Sequence, residues 1–144
     1  MTQNLPTNDL VIVDTLVQLS FAVQTVLLRI AAAHDLSLVQ MRLFGILRDH
    51  EPEMLELARY LNLDKSSVTG LIDRAERRGL VRRTSTPEDG RVFRVIATPL
   101  GRQITAEIAS QVESEMLKLV AGLSDTDRNH LIGIVSLIPA GSAR

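Results

Sequence analysis

Apolar residues recur along most of this chain at the three-and-four spacing of a helix buried on one side, and capping residues punctuate them at regular intervals. The first segment, about Asp9 to Ala33, is apolar nearly all round, so it must be covered on more than one side, and a partner subunit could supply that cover. Ser37 followed by Gln40 forms a capping box, which predicts a second helix through Met41, Phe44 and Leu47 to Asp49 or His50. Pro52 separates it from a short third helix, Leu55 to Leu61. Asn62 and Leu63 turn the chain into Asp64, an N-cap for a fourth helix that Gly79 ends at C′. Two helices joined this way make a helix-turn-helix.

Downstream the period changes from helical to alternating. Val81 to Thr86 and Arg91 to Thr98 read as two strands around a Pro87-Glu88-Asp89-Gly90 turn. In the second strand Phe93, Val95 and Ala97 point one way and Val92, Arg94 and Ile96 the other, so one face can pack on the domain. Thr98 caps a fifth helix with Pro99 in its first turn, running to about Ala121 before Gly122, and Ser124 with Asp127 begins a last helix that ends near Ile138. The fold class is mainly α with a small β-hairpin.

On the fourth helix Val68, Leu71, Ile72 and Ala75 share one face, which must be the buried one. The opposite face carries Ser66, Gly70, Asp73 and Arg77, flanked by Ser67, Thr69 and Arg74. Short hydroxyls can bond phosphates or base edges, a glycine lets the backbone come close, and arginines can take guanine bidentately or hold phosphates. From Lys65 to Arg94, eight basic residues stand against four acidic ones, a net +4 that leaves −5 for the rest of a chain whose total is −1. Local field rather than total charge steers an encounter with DNA, so the near-neutral total is no obstacle. Arginine-rich helix faces are often only solvated surface, and that reading would prevail for the helix alone. The order of parts favours DNA: helix-turn-helix, then a hairpin with an arginine at its tip.

Composition removes other classes. A chain of 144 residues with 45% hydrophobic content is one domain with a real core, and zero cysteines exclude disulfides, thiolate zinc, a cysteine nucleophile and thiol-based peroxide sensing. His34, His50 and His130 stand singly, without metal-ligand spacing. No Gly-x-Ser-x-Gly elbow, phosphate loop or paired carboxylate motif accompanies Ser66, Ser67 or His50, so catalysis and a cofactor are not expected. MTQNLPTND has no positive charge ahead of an apolar core, and the charge-free run Thr15 to Leu28 is too short to span a bilayer; the expectation is a cytoplasmic protein.

Three stretches, LARYLNLDKSSVTGLIDRAERRGLVRR, the turn PEDGR with Asp89 and Arg91 in an Asp-x-Arg arrangement, and TPLG from Thr98 to Gly101, resemble the MarR family of winged helix-turn-helix transcription regulators. The resemblance implies a single domain over 1–144, with residues 1–36 and 99–144 as a helical dimerisation region and 37–98 as the winged helix-turn-helix. The recognition helix would span about 65–78 and the wing about 81–98. It also implies an obligate homodimer on a pseudo-palindromic operator, usually a repressor. DNA-binding residues would be Lys65, Ser66, Ser67, Thr69, Gly70, Arg74, Arg77, Asp89 and Arg91, with Arg91 in the minor groove and Asp89 orienting the wing through a salt bridge to a nearby arginine. Met54 departs from the family's usual capping Ser or Thr, and Ala75 and Ala97 from usual leucines; each is a packing change.

Family members are usually released from DNA by small aromatic or phenolic anions bound between the dimerisation helices and the winged domain. His34, Arg42, Phe44 and Arg48 would lie near that cleft, though each has an ordinary role that is favoured: core for Phe44, a helix-end cap for His34, solvated surface for the arginines. Two other uses of a winged helix compete with specific reading. The hydroxyl-rich helix argues against a protein-binding module, and the slightly acidic total argues against a nonspecific DNA coat.

Overall fold

The computed structural model describes residues 7–139, which form α1 (Thr7–Ala33), α2 (Leu38–Leu47), α3 (Met54–Leu61), α4 (Lys65–Arg77), β1 (Val81–Ser85), β2 (Phe93–Ala97), α5 (Pro99–Leu119) and α6 (Asp125–Val135). Local capping chemistry sets most of these limits. Ser37 Oγ accepts the Gln40 N–H at 3.1 Å while Gln40 Oε1 accepts the Ser37 N–H at 2.8 Å, the reciprocal box expected at the start of α2. Asp64, Thr98 and Ser124 cap α4, α5 and α6 in the same way, each accepting a main-chain N–H three residues on. Gly79, at φ +72°, follows α4 in the left-handed region that a side chain would disfavour.

Helix α3 begins one residue earlier than expected. Its N-cap is Glu53, whose N–H is taken by Glu56 Oε1 at 3.2 Å, so Met54 sits inside the first turn and no Ser or Thr is needed there. Both strands are shorter than the alternation implied, because Thr86 and Val92 are drawn into the turn and Thr98 into the cap of α5. They pair antiparallel with Val81 opposite Ala97 and Ser85 opposite Phe93. The segment before α3 adds to the hairpin: Val95 donates to the Pro52 carbonyl at 2.9 Å and Glu53 bridges Arg94, tying α3 to β2.

The core lies where α2, α3, α4 and the hairpin converge, around Leu43, Phe44, Leu57, Val68, Ile72, Leu80, Val81 and Val95. The α4 stripe read from the sequence, Val68, Leu71, Ile72 and Ala75, is buried throughout, and so is Ala97. Only the last third of α1 joins this core, through Val26, Ile30 and Ala31. Residues 8–33 are long and apolar enough to cross a membrane by length and composition alone, contrary to the reading from the charge-free run. The reason is that the charges of α1, Asp9, Asp14 and Arg29, sit toward its ends and interrupt the helix little.

Helix α5 enters the fold through a close approach. The Thr98 hydroxyl donates to the Gly79 carbonyl at 2.6 Å, the Thr98 N–H donates to the Leu80 carbonyl at 3.0 Å, and a Cβ on Gly101 would overlap that same Leu80 carbonyl. Backbone cannot yield as a flexible side chain can. Gly101→Ala is therefore expected to destabilise the fold by at least about 1–3 kcal/mol in urea unfolding; a value within about 0.5 kcal/mol of zero would show that α5 does not press on Leu80.

Candidate nucleic-acid interface

With its apolar stripe buried, α4 leaves the rest of its surface to solvent. Lys65, Ser66, Ser67, Arg74 and Arg77 are exposed, and Thr69 and Gly70 are half-buried. The first turn is tightly organised by Asp64, whose Oδ1 accepts both the Ser67 N–H at 2.7 Å and the Ser66 hydroxyl at 2.8 Å. Those bonds, the Ser67 N–H foremost, hold the Asp64 carboxyl below the usual aspartate range. The Thr69 hydroxyl donates back to the Lys65 carbonyl at 2.9 Å, so Ser66 and Thr69 offer lone pairs as they stand and must rotate to donate to a phosphate. The Arg74 guanidinium folds over Gly70, where an added Cβ would meet Nη1 at 3.3 Å.

The hairpin tip is closed by a small polar network. The buried Thr86 hydroxyl donates to the Asp89 carbonyl at 2.7 Å and accepts the Asp89 N–H at 3.2 Å. Asp89 Oδ1 accepts the Arg91 N–H at 2.9 Å, an Asx turn that leaves the Arg91 side chain exposed. This corrects the expected salt bridge from Asp89 to an arginine. Its carboxylate turns inward on the tip's own main chain, and it makes no ion pair among the described residues.

The ion pair that ties wing to helix belongs to Arg83 on β1. Its Nη2 meets Asp73 Oδ1 at 2.6 Å, its Nη1 meets Glu76 Oε1 at 2.7 Å, and its main-chain N–H donates to Glu76 Oε2 at 3.1 Å. Asp73, read from the sequence as part of the exposed α4 face, is thus half of a carboxylate pair one turn apart that receives a single arginine. That spacing was the signal available for it. Lys65, Arg74, Arg77 and Arg91 make no ion pair among the described residues, so their charge is free to act outward. Between α3, α4 and the hairpin lies a cleft of about 520 Å³, with Met54, Leu55 and Phe93 beside Thr69, Arg83 and Arg91.

The four residues placed near an effector cleft are not brought together. Phe44 is buried in the core, Arg42 donates to the Tyr60 carbonyl at 3.2 Å, and Arg48 pairs with its neighbour Asp49 at 3.1 Å. His34 Nε2 lies 3.1 Å from Gln111 Oε1, at the edge of a separate cleft of about 490 Å³ between α1 and α5. Arg29, Ile30, Ala33, Gln111, Ser114 and Glu115 line that cleft; of these, sequence reasoning singled out none, because they meet only when two distant helices pack. Glu115 is held below the usual glutamate range by its hydrogen bond from Lys118, with Arg29 adding to the effect.

Because the folded Asp64 titrates lower than the unfolded one, its contribution to stability is complete above the usual aspartate range and is lost as pH falls through the folded value. Asp64→Asn keeps a capping oxygen but cannot titrate, so thermal unfolding between pH 6 and 3 should show a shallower acid-side decline in the variant below about pH 4. Identical declines would show that Asp64 is not the coupled group.

Comparison with known proteins agrees with the geometry. The MarR family model matches residues 34–92, from the end of α1 through α4 to the wing turn. A Thauera aromatica protein assigned to transcriptional regulation of the hcr operon is 34% identical over 79 residues, 55% of this chain and 48% of its own length. The chain spans about half the length of the curated relatives it matches. The solved transcriptional regulator PA4135 superposes with a TM-score of 0.73 at 27% identity, over 87% of this chain and 96% of that one. NadR, solved in complex with 4-hydroxyphenylacetate, superposes with a TM-score of 0.72 at 21% identity over 94% of both chains. Over residues 34–92 the chain is similar to the MarR family of regulators, and over most of its length it has the fold of solved transcriptional regulators.

Proposed function

We propose that this chain reads duplex DNA in a sequence-specific manner as a homodimer, represses by occupying a pseudo-palindromic operator, and is released by a small aromatic anion. The observation that carries DNA reading is the α4 surface. Its buried stripe is complete, and its outward side presents Lys65, small hydroxyls, Gly70, Arg74 and Arg77 at groove-compatible size, with Arg91 exposed on the hairpin beyond. On this reading α4 lies in the major groove, and Arg91 reads the width and A·T content of the adjacent minor groove. Asp89 serves only to shape the tip.

Support for the homodimer comes from apolar surface at both ends of the chain. Leu10, Ile12, Leu16 and Phe21 on α1 are exposed, and so are Ile132, Ile134 and Val135 on α6, a helix with no buried residue. Exposed apolar surface of this extent on two helices marks an interface. A second copy covers it symmetrically, and two-fold symmetry requires matched half-sites about one helical turn apart. Repression is the mode the family resemblance implies.

For the effector, the α1–α5 cleft is the better candidate than the scattered set of Arg42, Phe44 and Arg48. Its volume falls in the range of small-molecule sites, Arg29 can exchange its Glu115 partner for a ligand carboxylate, and Ile30 and Ala33 offer apolar contact to a ring. That a structural neighbour binds 4-hydroxyphenylacetate supports a ligand of this class.

Selecting bound duplexes from random DNA at about 150 mM salt, with native protein and Arg91→Ala side by side, tests the reading. A two-fold symmetric motif is expected, bound with a log–log salt slope near −7 if a dimer neutralises about 8 phosphates. Arg91→Ala should weaken it by about 1–3 kcal/mol and blur its A·T-rich flank. Recovery of no motif, with binding that vanishes as salt rises, would leave a nonspecific coat instead.

A further inference from the structure

Arg78, the C-cap residue of α4, does not point its charge toward the recognition surface. Its guanidinium reaches across to the turn that follows α1, donating from Nη1 to the Asp35 carbonyl at 2.8 Å and from Nη2 to the His34 carbonyl at 3.0 Å. Among the described residues no other hydrogen bond joins α4 or its cap to α1 or that turn. The turn is closed by its own main chain. Asp35 takes the left-handed region at φ 55°, and the His34, Asp35 and Leu36 N–H groups all return to the Ala31 and Ala32 carbonyls. Leu36 is buried, the His34 ring meets Gln111 on α5, and Arg29 pairs with Glu115 on α5 at 2.8 Å.

The planar fork of an arginine suits this task, since two parallel N–H groups on adjacent carbonyls fix both distance and angle. The carbonyls are also the negative end of α1, where a cation is favoured. We propose that Arg78 is a positioning residue for DNA reading: it fixes the angle between α4 and the α1–α5 helical frame, and so sets the separation of the two recognition helices in the dimer. This rests on the DNA-reading dimer proposed above. Arg78 touches neither base nor phosphate in this role; it acts through where α4 is held.

A purely capping arginine would change stability and leave spacing preference alone, which gives the test. Native protein, Arg78→Met and Arg78→Lys are titrated against the operator selected by native protein and against versions with one base pair inserted or removed between half-sites, each change moving a half-site by about 3.4 Å along the axis and turning it about it. Native protein is expected to lose at least about tenfold per altered base pair, comparable to one mismatch. Arg78→Met is expected to bind all three spacings within about threefold of one another, with Arg78→Lys, which keeps the charge but not the fork, in between. Native discrimination retained in the Met variant overturns the proposal; if that variant does not fold, native discrimination retained in the Lys variant does so. Indifference of the native protein itself to spacing would instead sink the dimeric reading on which the proposal rests.

Discussion

The junction at Gly79 and Leu80 is where the parts of this molecule are joined. Gly79 leaves α4 in the left-handed region, Leu80 plunges into the core, and the carbonyls of both receive Thr98 as it caps α5. Gly101 then lets α5 ride directly on the Leu80 carbonyl. Helix α4, the hairpin and α5 therefore meet within a few residues of backbone. A side chain at Gly101 would push the long helix away from the junction, so the glycine of the TPLG stretch is a requirement of close approach.

From that junction the electrostatics divide into inward and outward charges. Arg83 is spent on Asp73 and Glu76, binding hairpin to helix and offsetting one of the two negative charges on that side of α4. Arg78 is spent on the turn after α1. Of the eight basic residues from Lys65 to Arg94, six remain: Lys65, Arg74, Arg77, Arg82, Arg91 and Arg94 make no ion pair among the described residues. A raw count of basic residues thus overstates how many are free of an inward partner, while the near-neutral total understates how concentrated the rest are.

What the sequence made legible was whatever is decided within one or two turns of chain. The box of Ser37 and Gln40, the caps at Asp64, Thr98 and Ser124, and the stripe from Val68 to Ala75 depend on neighbours three or four residues away, and all appear as read. The start of α3 was misplaced by one residue because Glu53 caps it without the usual hydroxyl. The partner of Asp89 was misassigned because an Asx turn and an ion pair look alike in a one-dimensional string. The cleft between α1 and α5 was out of reach, since its lining brings together residues about eighty positions apart. Phe44 shows the converse: a helical apolar position is core, as its pattern favoured.

The long apolar helix at one end and α6, which buries none of its apolar residues, at the other make sense together only if something covers both, and on our reading that is a second copy of the chain, which also supplies the second α4. Sedimentation equilibrium of native protein beside Leu16→Glu and Ile132→Glu, followed by operator titration, tests this most directly. Both positions are exposed in the single chain, so neither substitution should unfold it. The account predicts a native dimer at micromolar concentration, and folded variants that sediment toward monomer and lose operator affinity together. A native monomer that binds its operator at full strength, or charged variants that dimerise unchanged, would contradict it.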